Sequence, residues 1–308
     1  MRKTILSSFG AGFFAAFVAD NASHSRRRCE CLSGLMFPKV VSRCESRSDT
    51  KYALDPNAYK KLRLVQKQDV SHDTKLFRFN FPEGHSMSKA GLDVVSSLRT
   101  RAVLSGKEVV RQYTPVSPRN VRGYVDLIIK SYPAPGGLMS RHIHSLPIGG
   151  ELEVLGPFLN FKYRENMKKR IGMIVGGTGL TPCLQLIREI LSNPNDDTEV
   201  SLVFANKEKR DILLHDELNA LMYLYPNFKV HFVLERAPRK WGGSTGIVSN
   251  EIVKNYIPQP SNDTMVLVCG PEGMVDHVGG AKVDGCEETV GGILKQLGFE
   301  ARHVFKFR

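Results

Sequence analysis

The sequence predicts a β + α/β protein, a strand-rich half followed by an α/β half built on a parallel sheet. Two observations carry this reading. From about residue 165 onward, short apolar runs alternate with stretches at helical spacing, the pattern of parallel strands joined by crossover helices. Before it, Arg111–Thr114 and Asp126–Tyr132 read as strands, broken by Pro115 and by Pro133-Ala134-Pro135. A third observation supports the α/β half. Its apolar runs end in loops rich in glycine, proline or charge, where open α/β sheets bind ligands.

The 308 residues suffice for two ordinary domains, and 42% hydrophobic with 24% charged residues are globular values. The chain divides into residues 1–55, 56–164 and 165–308. The first part shows little periodicity. Its uncharged run Thr4–Ala19, rich in Phe and Ala, is shorter than the roughly 20 residues of a membrane span. Arg2 and Lys3 precede it and Arg26-Arg27-Arg28 follow. A short anchor, the apolar region of a cleaved leader and part of a transit segment all fit. Cys29, Cys31 and Cys44 lack zinc-site spacing, so free thiols and no metal are expected for the six cysteines. His72, His142 and His144 read as ordinary strand and helix residues.

In Arg111-Gln112-Tyr113-Thr114, alternate residues of a strand share a face, so Arg111 and Tyr113 point the same way. A guanidinium there can take a phosphate in bidentate fashion, and a tyrosine beside it can lie against a flat ring. Thr114 offers a hydroxyl to a ring nitrogen. An exposed arginine and a half-buried tyrosine on an ordinary strand fit equally well. Past the strand 126–132, Gly136-Gly137-Leu138-Met139-Ser140 opens a helical stretch from Ser140 to Ser145. Glycines before a helix start expose N–H groups to an anion; a glycine turn with a serine cap is the plainer alternative.

In the second half, Ile171–Val175 is a strand, and Gly176-Gly177-Thr178-Gly179-Leu180-Thr181-Pro182 leads into a helix with Leu184, Leu186, Ile187, Ile190 and Leu191 at helical spacing. Pro182 suits the first turn. A strand, a glycine loop and a helix N-terminus make an anion site by geometry and dipole. The loop lacks the third glycine of Gly-x-Gly-x-x-Gly and the Gly-Lys-Ser/Thr of a Walker loop. Val200–Ala205, Val230–Leu234 and Met265–Val268 read as further strands, with helical spacing over Leu214–Leu224. They end at Asn206-Lys207, at Glu235-Arg236-Ala237-Pro238 and at Cys269-Gly270-Pro271. Glu235 can accept hydrogen bonds from a ribose and repel a 2′-phosphate, whereas nearby Arg236, Arg239 and Lys240 favour one.

With these motifs in order, residues from about 60 to 308 resemble the NADH–cytochrome b5 reductase family of the ferredoxin-reductase superfamily. Ser71-His72-Asp73-Thr74, Phe204-Ala205-Asn206 and Asp211-Ile212-Leu213-Leu214 add to the likeness. Gly91-Leu92-Asp93-Val94 and the ending Val304-Phe305-Lys306-Phe307 resemble mitochondrial-type members. The resemblance implies an antiparallel Greek-key flavin-binding barrel over 56–164 and a Rossmann-like parallel-sheet nucleotide-binding domain over 165–308. It implies bound FAD, NADH as donor, and cytochrome b5 or a similar acidic haem protein as acceptor. It places Arg111, Tyr113, Thr114, Ile128, Ile129, Lys130, Tyr132, Gly137, Met139, Ser140 and Thr181 at the FAD. It places Gly177, Thr178 and Gly179 at the nucleotide, and Cys269, Gly270, Pro271 and Met274 beside the nicotinamide. Three departures stand out. Gln112 replaces a proline common in the family, Leu138 replaces a frequent lysine, and Arg308 extends past Phe307, which puts the role of the terminal aromatic in doubt.

Hydride transfer from nicotinamide C4 to flavin N5 needs stacking at near-attack distance and no general base. Thr114 is expected to hydrogen-bond N5. Cys269 is expected beside the nicotinamide as a packing group, a buried strand-end cysteine being the alternative. The net charge of +12 suits an acidic partner. No motif supports nucleic acid. The expected location is mitochondrial and membrane-associated through the N-terminal segment, with the endoplasmic reticulum membrane as alternative. Two other functions remain open, an NADPH-dependent reductase of another acceptor and a flavin-less membrane-tethered binding protein.

Overall fold

The computed structural model describes residues 52–282 and 289–307. The expected anchor or leader over Thr4–Ala19, together with Cys29, Cys31, Cys44 and Arg308, lies outside the described residues. Among the described residues no helix is long and apolar enough to cross a membrane.

The first half is one antiparallel sheet. Its strands are β1 (Lys60–Asp69), β2 (Thr74–Asn80), β3 (Ser96–Leu104), β4 (Lys107–Tyr113), β5 (Tyr124–Lys130) and β6 (Glu151–Leu159). The order β4-β3-β6-β1-β2-β5 returns β6 between β3 and β1, a Greek-key path. Period-two alternation sends Leu62 and Leu64 of β1 and Phe77 and Phe79 of β2 into the core. β5 is buried on both faces because two different things cover it. Val125, Leu127 and Ile129 enter the barrel core, while Asp126 and Ile128 face outward beneath other residues. Arg78 covers Asp126 with two parallel bonds, Nε to Oδ1 and Nη2 to Oδ2, both 2.8 Å. The sheet's two edges meet just past β4, where Pro115 bridges Leu127 and the Val116 N–H donates to Asp126 O at 2.8 Å.

Helix α1 (Leu138–Ser145) follows β5 and starts two residues earlier than its spacing suggests. Gly137 makes that start possible. It sits at φ +61°, and a Cβ there would lie 2.6 Å from Tyr132 O.

The second half is a parallel sheet of β7 (Arg170–Gly176), β8 (Glu199–Asn206), β9 (Phe228–Leu234), β10 (Ser244–Thr245), β11 (Thr264–Cys269) and β12 (Val304–Lys306). In the order β10-β9-β8-β7-β11-β12 the chain runs outward from β7 and then returns to its other side. The switch point, where such sheets open a ligand crevice, lies between β7 and β11. Its helices are α2 (Leu180–Ser192), α3 (His215–Leu224), α4 (Asn250–Tyr256), α5 (Glu272–Gly279) and α6 (Gly292–Gln296).

Helix α2 is buried on far more than one stripe, because it packs on the sheet and grips the barrel as well. Gln185 Nε2 donates to Pro115 O at 2.8 Å, and Arg188 Nη1 donates to Val116 O. Arg188 Nε also donates to Glu217 Oε1 of α3 at 3.1 Å. Both charges of this pair are nearly out of water, with side chains 10% and 12% exposed. Removing one buried partner strands the other. Arg188→Met is therefore expected to cost about 3–5 kcal/mol in urea unfolding, and adding Glu217→Leu to recover part of it.

Candidate functional site

The predicted site residues converge on one cleft of about 2380 Å³ between the barrel and the carboxyl ends of the parallel strands. From the barrel come Arg111, Tyr113, Thr114, Ile128, Lys130 and Tyr132, with Gly137, Met139 and Ser140 at the start of α1. From the sheet come Gly177, Thr178, Gly179, Thr181 and Glu235, with Cys269, Gly270, Pro271 and Met274 at the end of β11. Ile129 does not line it. Strand alternation turns its side chain into the barrel core, and its carbonyl bonds His144 Nε2 at 2.9 Å.

On the barrel wall, the turn into α1 is braced by Ser140. Its Oγ donates to Gly137 O at 3.0 Å and accepts the Tyr132 N–H at 3.4 Å. No side chain caps the first N–H groups of α1, which therefore remain available to an anion. The Arg111 guanidinium gives Nη1 to Val110 O at 2.7 Å along its own strand. Burial pushes the Tyr113 hydroxyl up to about 12, so this ring carries no charge at working pH.

On the sheet wall the glycines divide their tasks. A Cβ on Gly179 would lie 2.5 Å from Cys269 O, and one on Gly176 would lie 2.7 Å from Met274 Sδ. These two let the β7 and β11 loops close together. Gly177, at φ +53°, would meet nothing within 4 Å, so its bare backbone faces open space. Thr181 Oγ1 donates to Thr178 O at 3.2 Å and ties this loop to the first turn of α2, which also holds Pro182. Across the cleft, Tyr132 Oη lies 3.4 Å from Thr178 Oγ1.

At the end of β9, Glu235 N–H donates to Asn206 O at 3.0 Å, and the Glu235 side chain is exposed to the cleft. Arg236 lines the cleft as well, paired there with Glu208, Nη2 to Oε1 at 3.0 Å, and holds that carboxyl below its ordinary range. Arg239 and Lys240 do not line the cleft.

Several cleft residues escaped the sequence reading. His72 is no strand residue. It lies in the β1–β2 turn, with Nε2 3.4 Å from Asp73 and 3.6 Å from Asp211. Lys130 Nζ joins them, 2.8 Å from Asp73 and 3.9 Å from Asp211. Burial works against the Asp73 carboxylate, but Lys130, Thr74 and Ser71 outweigh it and hold its pKa below the ordinary value. These three acidic and imidazole groups are close enough to share a cation, and Lys130 already supplies the positive charge. Asn206 and Lys207 at the end of β8 also line the cleft, as do Phe305 and Phe307. Phe307 is held by its N–H to Val268 O at 2.9 Å and packs edge-on to Phe305. Asn206 was findable by the rule that put Glu235 and Cys269 at strand ends; His72 with Asp211 was not, because the pairing joins distant segments.

Burial pushes the Cys269 thiol up to about 12, and burial also raises the fully covered Cys183 thiol well above its ordinary value. Cys269 is thus a neutral packing group and no nucleophile at neutral pH.

Residues 61–163 match the oxidoreductase FAD-binding domain family, and residues 173–279 match the oxidoreductase NAD-binding domain family. The chain is 43% identical to an NADH-cytochrome b5 reductase-like protein of Arabidopsis thaliana, over 87% of this chain and 82% of that one. It is 42% identical to NADH-cytochrome b5 reductase 1 of Dictyostelium discoideum, over 89% and 91%. The cytochrome b5 reductase domain of Ulva prolifera nitrate reductase superposes with TM-score 0.74 at 33% identity, over 83% of this chain and all of that one.

The raised thiol makes a direct forecast. Iodoacetamide should label Cys269 very slowly in the folded protein from pH 7 to 9, and rapidly after unfolding in urea, as read by peptide mass spectrometry. The folded pKa lies above the unfolded value of about 8.5, so this group's stabilisation is full below pH 8.5 and is lost as pH rises toward 12.

Proposed function

The chain belongs to the NADH–cytochrome b5 reductase family, and on that premise we propose an FAD-dependent oxidoreductase that takes electrons in pairs from NADH and passes them singly to a haem protein of the cytochrome b5 kind. The observation that carries this is the shared cleft. It sets the Arg-x-Tyr-Thr strand and the glycine loop face to face, with Tyr132 and Thr178 in contact across it.

The residues fit the two groups. Arg111 and the uncapped start of α1 would hold the FAD pyrophosphate, Tyr113 would lie against a ring, and Thr114 would offer its hydroxyl to the ring edge. When bound, FAD supplies the conversion between a two-electron nicotinamide and one-electron haem acceptors. Gly177, Thr178 and Gly179, at the N-terminus of α2, would hold the dinucleotide phosphates. Cys269 would pack beside the nicotinamide as a neutral thiol and help exclude water. Glu235 would accept from the adenosine ribose, and its carboxylate would repel a 2′-phosphate, against the pull of Arg236 beside it in the cleft. The charge of +12 suits an acidic haem protein.

Absorbance spectra of the purified full chain without oxygen test this. A yellow protein bleached fast by NADH and slowly by NADPH is expected. Equal bleaching would overturn the donor assignment, and a colourless protein that takes up no FAD would leave a binding module. Glu235→Gln should narrow the NADH preference about tenfold, the scale of one lost charge-assisted hydrogen bond.

For location, we propose a mitochondrial membrane, supported by the uncharged run Thr4–Ala19 between Arg2-Lys3 and Arg26-Arg27-Arg28. Residues 1–55 fused to a fluorescent protein should carry it to mitochondria and into the membrane pellet. A reticular or diffuse signal would refute this.

A further inference from the structure

Asn206 is the last residue of β8 and is 8% exposed, among the buried polar side chains of the chain. Both side-chain atoms, Oδ1 and Nδ2, are fully covered and have no protein partner. A buried amide without partners is costly, and folded proteins retain such groups where a ligand uses them. The residue also lines the cleft.

Register says which part of the cleft. Ala205 pairs with Gly176 across β7–β8, so Asn206 stands beside the open Gly177. On its other side, Asn206 O accepts the Glu235 N–H. Asn206 therefore stands between the glycine loop and the ribose-facing carboxylate. Its amide offers donors and an acceptor together, which suits a ribose hydroxyl or the linked phosphate oxygens.

We propose that Asn206 reads the adenosine-diphosphate half of the dinucleotide, and that the free enzyme keeps it at a cost in stability. This rests on the NADH reading above. The cost is what separates the proposal from a structural role. An apolar residue of like shape removes the unmet polar atoms, so it should stabilise the free protein while weakening the ligand.

The test uses the FAD-loaded full chain, with calorimetric titration of ADP-ribose and, separately, of nicotinamide mononucleotide, plus thermal unfolding without either. Asn206→Leu is expected to bind ADP-ribose roughly tenfold or more weakly, the scale of one or two lost hydrogen bonds. Its affinity for nicotinamide mononucleotide should be unchanged and its unfolding midpoint equal or higher. Asn206→Asp, which keeps the shape and loses the donors, should also weaken ADP-ribose. Unchanged ADP-ribose affinity, or a loss confined to nicotinamide mononucleotide, would overturn the proposal. So would a lowered midpoint with affinity intact, which would make Asn206 a structural amide. If the wild-type chain itself fails to bind ADP-ribose, the underlying NADH reading fails instead.

Discussion

The grip of helix α2 on the segment Pro115–Val116 is the constraint on which the rest of the molecule depends. That segment closes the barrel, because Pro115 and Val116 are where its edges meet at Leu127 and Asp126. The same two carbonyls are held by Gln185 and Arg188 from the second domain. Thr114, one residue earlier, is thereby fixed relative to the glycine loop at the head of the same helix. Barrel closure and domain docking thus meet on one two-residue segment, through separate bonds. The charged member of the docking bonds is nearly dry, so it contributes by being intolerant of misplacement more than by net attraction.

The cleft's electrostatics follow a similar economy. Tyr113 and Cys269 line the cleft as neutral groups, their hydroxyl and thiol pushed up by burial to about 12. Elsewhere in the cleft charge is balanced, as where Lys130 faces Asp73 and Asp211. Asp211 comes from the parallel-sheet half and the other two from the barrel, so this ion cluster also spans the domains. The chain's net charge of +12 remains available to steer an acidic partner.

Much of this was legible because its chemistry is local in sequence. Strand, glycine loop and helix occupy consecutive residues at 171–191, and the alternation of Arg111 and Tyr113 needs only a strand. What was not legible depends on contacts between distant segments. His72 meets Asp211 across the domains, α2 is buried on its barrel side, and Phe307 reaches the cleft only because β12 pairs with β11. Strand alternation also separates Ile128, which lines the cleft, from Ile129, whose side chain enters the barrel core.

The glycines show how one residue type answers two demands within four positions. Gly176 and Gly179 exist for the protein, since any side chain would force Met274 or the Cys269 carbonyl away and open the switch point. Gly177 answers a different demand, a left-handed backbone at φ +53° whose bare face meets open space in the cleft. The two uses are coupled. Only because the β7 and β11 loops pack backbone to backbone do the glycine loop and Cys269 come to the same end of one crevice. A dinucleotide with its phosphates at α2 would then have Cys269 on one side and the barrel wall, with Thr114, on the other. The closeness of the two loops rests on Gly176 and Gly179, where any side chain would collide with Met274 or the Cys269 carbonyl.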